Sequence, residues 1–285
     1  MSAIVSDIAR HSDKNEQVKL AGVIAESLRL VSELCAVPIY VHQEERFAQH
    51  GTGTLLRVDS RSFLLTAAHV VNDADDLELP LYVVDCQVGA KFHRLRGNRV
   101  FVREGRFDIA VVELTPQVID SLPARKFLRL ADMDFQDHIR DGLFFLFGFP
   151  CEWNPASSTT GPIAPRYLGY VTRTYNGPLN NSSYDPRFHL LLSASKTSSR
   201  PIDESEGALP RKLSGISGAV IWKTYSERQS AAHWKPDAAK IVAIETMAYG
   251  NTHEIIRGTH VAGLTRVLHD AYTDLRPVLR LYLPN

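Results

Sequence analysis

The sequence predicts an all-β protein of two halves with a helix at each end. Three observations lead there. From Val37 to Leu114 the chain falls into short β-rich runs, PIYV, GTLLRV, SFLLTA, LYVV, KFHRL, RVFV and IAVVEL, separated by turn residues. Closely spaced strands of this kind suggest an antiparallel sheet closed into a barrel or sandwich. A polar stretch, Thr115 to Asp141, with Pro116 and Pro123, then breaks the pattern. Strands resume as GLFFLFGF, RYLGYVTRTY, FHLLLSA, GAVIW and KIVAIETM, divided by long loops rich in Pro, Ser, Asn and Gly. Loops of that length in a compact domain often carry function.

The two helices follow from periodicity. In Lys19–Cys35, Leu20, Val23, Ile24, Leu28, Val31 and Leu34 recur at spacings of three and four with charged residues between them, the signature of an amphipathic helix. In Leu264–Leu275, Leu264, Val267, Leu268, Ala271 and Leu275 repeat that spacing, and Pro277 is expected to stop the helix. The expected organisation is a helical extension (1–36), a first β unit (37–122), a connection (123–141), a second β unit (142–263) and a closing helix and tail (264–285).

Composition narrows the function classes. At 285 residues, against a prior of about 150 per domain, the chain can bury a sizeable core as one large domain or two packed ones. Hydrophobic residues at 44% and charged residues at 22% exclude a wholly disordered or collagenous chain. Lys plus Arg (32) balances Asp plus Glu (32), so no global field recruits nucleic acid or an anionic membrane, and neither is an expected partner. Cys35, Cys86 and Cys151 are far apart, with no zinc spacing and no disulfide framework, and are read as reduced thiols. Asp7, Arg10, His11, Asp13, Lys14 and Glu16 interrupt any apolar signal segment, so a cytoplasmic location is expected.

Three local patterns carry the chemistry. In LLTAAHVV a strand ends at Thr66 and a small-residue turn presents His69; in FDIAVVEL, Asp108 precedes a strand; in LSGISGAVIW, Ser217 lies between Gly215 and Gly218 ahead of another. Nucleophilic acyl transfer uses these residue types: a hydroxyl to attack, an imidazole to take its proton and a carboxylate to hold the imidazole's tautomer. Gly215 can take a positive φ and bring its N–H, with that of Ser217, toward a developing oxyanion.

The order His, Asp, Ser, with the contexts TAAH, D-I-A and G-x-S-G, resembles the trypsin-like, chymotrypsin-fold serine endopeptidases over about Val37 to Leu275. The resemblance implies two packed six-stranded antiparallel barrels and an endopeptidase that needs no cofactor or metal. It makes Ser217 the nucleophile, His69 the base and then acid, Asp108 the orienting carboxylate, and the amides of Gly215 and Ser217 the oxyanion hole. It places the primary substrate pocket at Arg211, Lys212, Glu245, Thr246, Met247 and Ala248. Arg211 would favour an acidic substrate residue, Glu245 a basic one, and the two could pair with each other. The cleft would be bordered by the loops Cys151–Arg166, Tyr175–Arg187 and Ser195–Arg211.

Ile216 stands where secreted members carry an Asp, so activation through a freshly cut N-terminus is not expected. Ala219 replaces the second glycine of the usual pair. The pattern is closer to the intracellular and stress-response bacterial branch. Protein or peptide substrates are the expected partners, with a regulatory protein, linked to the helix Lys19–Cys35, as a further one.

Rival readings are a catalytically inactive binding module on the same fold and an α/β-hydrolase recruiting Asp237 and His253. Asp73, Asp75, Asp76 and Glu78 lack EF-hand spacing and read as a solvated acidic loop. Lys91, Arg94, Arg96, Arg99, Arg103 and Arg106 lack an aromatic platform for nucleic acid and read as a strand face near that loop. His253, His260 and His269 are too far apart in sequence for a helical metal pair.

Overall fold

The computed structural model describes residues 2–85, 91–102, 107–135, 142–157, 164–179, 183–194, 200–201, 210, 212–226, 231–249 and 254–282, with backbone alone at 2–15, 101–102 and 200–201. The first sheet contains β1 (Ala36–Gln43), β2 (Arg46–Val58), β3 (Arg61–Thr66), β4 (Leu81–Val84), β5 (Phe92–Arg94), β6 (Arg99–Val102), β7 (Ile109–Glu113) and β8 (Leu128–Arg129). The second contains β9 (Leu143–Gly148), β10 (Leu168–Arg173), β11 (His189–Ser193), β12 (Arg200–Pro201), β13 (Val220–Lys223), β14 (Lys240–Tyr249) and β15 (Ile255–His260). Around them stand α1 (Ser2–Cys35), α2 (Ala68–Asp76), α3 (Pro116–Asp120), α4 (Ala262–Ala271) and α5 (Arg276–Leu279).

The strand orders are β5-β4-β1-β2-β3-β7-β6, with β8 beside β2, and β11-β15-β14-β13-β9-β10-β12. Among the described residues the sheets therefore hold eight and seven strands where six each were expected. The surplus includes the two-residue strands β8 and β12. β8 arises inside the predicted connection and pairs in parallel with β2 at Leu56 and Arg57, an exception to an otherwise antiparallel ladder. An α/β-hydrolase would need a parallel sheet with alternating helices, and this topology rules it out.

Many strands bury both faces, and alternate residues enter different cores. On β7, Ile109 and Val111 point to the layer between the sheets, while Ala110 and Val112 fill the first sheet's interior. On β9, Phe145 and Phe147 join that shared layer while Phe144 and Leu146 fill the second interior. Among the described residues three large cores result, one inside each sheet and one between them, beside a small aromatic cluster around Tyr40 and Val84.

The shared core also takes the helices. α1 begins at Ser2 rather than near Lys19, and no Gly or Pro occurs in 2–18 to break it. Leu20, Ile24 and Leu28 are buried at four-residue spacing and pack with Phe145, Phe147 and Trp222 in that core. Leu34, expected on the buried face, is exposed. Arg29 bridges Glu26 and Glu33, each at 2.6 Å, on the outer side. Where α1 ends, the buried Arg125 pairs with Asp85 at 3.0 Å and donates to the carbonyls of Glu33 and Ala36.

Leu28→Ala should cost about 2–5 kcal/mol of unfolding free energy, the usual range for emptying a fully buried leucine site. Denaturant melts measure it, and a change under about 0.5 kcal/mol would mean that α1 is not docked.

The C-terminal helix stops at Ala271, and a further helical turn, α5, contains Pro277 in its first turn. Pro277 was expected only to terminate; proline is tolerated there because the first turn's N–H groups have no intrahelical acceptor. Among the described residues no helix is long and apolar enough to cross a membrane.

Candidate active site

β3 delivers the chain at Thr66 and α2 starts two residues later, so His69 lies in the first turn of a helix rather than in a simple turn. First-turn N–H groups need outside acceptors. Asp108, just before β7, supplies one: its Oδ1 accepts the His69 backbone N–H at 2.9 Å and its Oδ2 accepts from His69 Nδ1 at 2.8 Å. One carboxylate thus caps α2 and holds the ring, and a proton on Nδ1 leaves Nε2 as the acceptor.

Ser217 sits in a turn built by two glycines. Gly215 and Gly218 have φ of +92° and +93°, a region costly for other residues. A Cβ on Gly218 would lie 2.1 Å from the carbonyl oxygen of Thr52, and one on Gly215 would lie 2.6 Å from Cys151 Sγ. The first sheet grips this turn through Thr52. Its Oγ1 donates to the Gly215 carbonyl at 2.8 Å and accepts the Phe149 N–H at 3.0 Å, while its N–H donates to the Ser217 carbonyl at 2.8 Å.

The Cys151 N–H holds the Ser214 carbonyl at 2.8 Å. In a trans peptide the carbonyl and the next N–H point opposite ways, so the Gly215 N–H is turned away from Cys151. Among the described residues neither the Gly215 nor the Ser217 N–H has an acceptor. His69, Asp108 and Ser217 line one cleft of about 460 Å³, with Phe107, Thr246, Met247 and Arg257 among its other walls.

No protein-family model matches the chain, and no curated protein matches its sequence. Solved structures do. The chain is similar to the thermostable serine protease AL20 from an extremophilic microorganism, with TM-score 0.52, 11% identity, and 85% of this chain and 99% of that one covered. It is similar also to the protease Anisep from Arthrobacter nicotinovorans, with TM-score 0.53, 12% identity, and 84% and 96% covered. The fold is that of the trypsin-like serine proteases.

Within the trypsin-like fold the site's charges are coupled. Burial pulls the His69 pKa down, but the hydrogen bond and charge of Asp108, with the charges of Glu245 and Asp73, outweigh it and raise the imidazole above its usual value. Burial pushes Asp108 up, and its bonds to His69, helped by the charge of Arg257, more than reverse this. Glu245, almost wholly buried on β14, is pushed up to about 7 by burial, against the charge of His69 and the hydrogen bond of Ser217. Among the described residues no hydrogen bond joins Ser217 to His69.

The predicted pocket residues scatter. Thr246 and Met247 line the cleft, Glu245 lies beneath Ser217's strand neighbours, and Ala248 follows half-buried. Lys212 donates its backbone N–H to Glu152 at 3.0 Å with an exposed side chain, and Arg211 lies outside the described residues. Of the three bordering loops, Tyr175–Arg187 contributes Ser183 to the cleft. Ile216 is fully buried in the second sheet's interior, and Ala219 fits beside Gly148.

Other candidates find structural partners. Asp73, Asp75 and Asp76 lie on α2 rather than in a loop, Asp75 pairs with Arg99, and Asn72 donates to Asp76 at 2.8 Å. Glu78 follows with a positive φ. Arg103, Arg106, Cys86 and His253 lie outside the described residues, His260 is buried at the end of β15, and His269 faces Asp270. Among the described residues no three His, Cys, Asp or Glu gather as a metal site.

Two contributors escaped the sequence reading. Thr52 hid inside GTGTLL, where small residues flanking a threonine were the available signal. Arg257, buried and lining the cleft, donates to Thr246 Oγ1 at 3.3 Å and Tyr249 Oη at 3.1 Å. It carried no local signal at all.

Proposed function

We propose that this protein is a serine endopeptidase acting on proteins or peptides. Ser217 Oγ attacks the scissile carbonyl as its proton passes to His69 Nε2, and the oxyanion is met by the N–H groups of Gly215 and Ser217. His69 then protonates the departing amine as the C–N bond breaks, and water releases the acyl group by the same route in reverse. The observation that carries this reading is the Ser217 turn itself, whose two amides have no acceptor and which shares a cleft with an imidazole oriented by Asp108.

A second reading, a binding module on the same fold, is favoured because among the described residues no hydrogen bond joins Ser217 to His69. In free enzymes catalytic hydrogen bonds are often long and tighten only with substrate, so the endopeptidase reading is preferred. A fluorophosphonate probe separates the two, because it reacts only with an activated hydroxyl. The expected result is a covalent adduct at Ser217 located by mass spectrometry and lost in His69→Ala; an unmodified wild type would favour the binding module.

A further inference from the structure

The N–H groups of Gly215 and Ser217 are aimed by the carbonyls around them, and each of those carbonyls is held. Ser214 O accepts from the Cys151 N–H, Ile216 O from the Ala219 N–H and Ser217 O from the Thr52 N–H, each at 2.8 Å. These are backbone bonds. The Gly215 carbonyl is held instead by side chains: Thr52 Oγ1 donates to it at 2.8 Å, and Gln49 Nε2 reaches it at 3.4 Å. Gln49 is a buried residue of β2, and its N–H₂ group donates also to the carbonyls of Phe149 at 3.0 Å and Gly51 at 2.6 Å. Three carbonyls thus converge on one amide nitrogen, and their negative ends would repel one another without a donor between them. Phe149 stands two residues before Cys151, whose N–H holds Ser214. Gln49 therefore acts on the Gly215 amide from both sides, through the Gly215 carbonyl and through the segment that carries the Cys151 N–H. Its own oxygen, Oε1, is buried with no hydrogen-bond partner, a costly arrangement. Turning the amide over would be worse, because it would set that oxygen against three others.

We propose that Gln49 is a positioning residue for the oxyanion hole, its N–H₂ group holding the Gly215 and Phe149 carbonyls so that the Gly215 N–H stays turned to the cleft. This role rests on the endopeptidase reading and deepens it. Gly215, at a φ of +92°, has no Cβ to restrict its rotation, so its N–H keeps its direction only while the peptides on either side are fixed. Without the Gln49 donor the converging carbonyls part, the Ser214–Gly215 peptide turns with them, and the hole loses one of its two N–H groups. Gln49 touches no reacting atom. The loss falls on the transition state, because only there does the substrate oxygen carry the charge that calls for both donors.

The test compares wild type with Gln49→Met, which keeps the side chain's length and removes its donor, both as the full chain. Three quantities are measured: kcat and KM for a peptide, the affinity for a peptide aldehyde of the same sequence, and fluorophosphonate labelling. Ser217 Oγ adds to the aldehyde carbon and sets its oxygen in the hole, so aldehyde affinity reads the hole directly. The variant's kcat should fall about 10- to 100-fold, less than the roughly 10²–10³ lost when an oxyanion donor is deleted outright. KM should stay unchanged, and the aldehyde should bind more weakly by the same factor as kcat. A merely loosened fold would raise KM and weaken substrate and aldehyde alike. If Gln49→Met does not fold, Gln49→Asn, whose amide is one methylene short of the Gly215 carbonyl, carries the test with the same expectation. Unchanged kcat, unchanged aldehyde affinity, a loss confined to KM, or failure of both variants to fold would overturn the positioning role and leave the endopeptidase standing. A wild type that neither labels nor cuts any peptide would overturn both.

Discussion

Ser217→Ala should lower peptide hydrolysis by roughly 10⁶-fold in kcat, the loss on removing a nucleophile whose partners work as a unit, with its melting temperature close to wild type. The change removes one oxygen. The turn does not depend on that oxygen, because Gly215, Gly218 and the two backbone bonds from Thr52 and Cys151 hold its shape. A purified variant that still hydrolyses peptide at more than a trace would show that another group attacks the carbonyl.

Asp108→Asn should cost roughly 10⁴-fold in kcat, because an amide can present its N–H₂ to Nδ1 and stabilise the wrong imidazole tautomer. It should also shift the pH profile. Catalysis needs neutral His69, so activity falls as pH drops through the imidazole pKa. In the wild type that pKa stands above its ordinary value of 6.5, since Asp108 and its neighbours outweigh burial. Without the Asp108 charge, burial acts less opposed and the acid limb should move to lower pH. Rates at saturating peptide measure the loss in kcat, and kcat/KM against pH, which reports the free enzyme's imidazole, measures the shift of the limb. An unmoved limb would mean that Asp108 does not set the His69 pKa. The same variant perturbs the acceptor of the His69 backbone N–H at 2.9 Å, and a loss near 1 kcal/mol in stability is expected from a weakened cap.

Much of the architecture was legible because local pattern and burial agree. Short β-rich runs report strands whose two faces both find cores, as at Ile109–Glu113 and Leu143–Gly148. The docked half of α1 showed itself through Leu20, Ile24 and Leu28, whereas the sequence reading drew no helix over 2–18, through which α1 also runs. β8 was invisible because two residues have no period, and its parallel pairing with β2 comes from where the connection crosses the sheet.

His69, Asp108 and Ser217 each announced themselves through a short motif, since a helix start, a strand start and a glycine-bounded turn all have local chemistry. Their meeting is different. Asp108 reaches His69 across 39 residues only because β3 and β7 are neighbours in the first sheet. Thr52, from the middle of β2, and Cys151, just past β9, shape the Ser217 turn. Glu245 could be read from sequence only as a pocket charge awaiting a partner. Whether a buried carboxyl is paired, starved of donors or turned toward a nucleophile depends on the dielectric and the neighbours that folding assembles, and those come from residues scattered along the chain. Sequence alone determined most of the strands, the docked helix and the three chemical groups; the tertiary structure decided which of them touch, and that Glu245 is buried on the strand bonded to the Ser217 turn through Gly218 and Ala219.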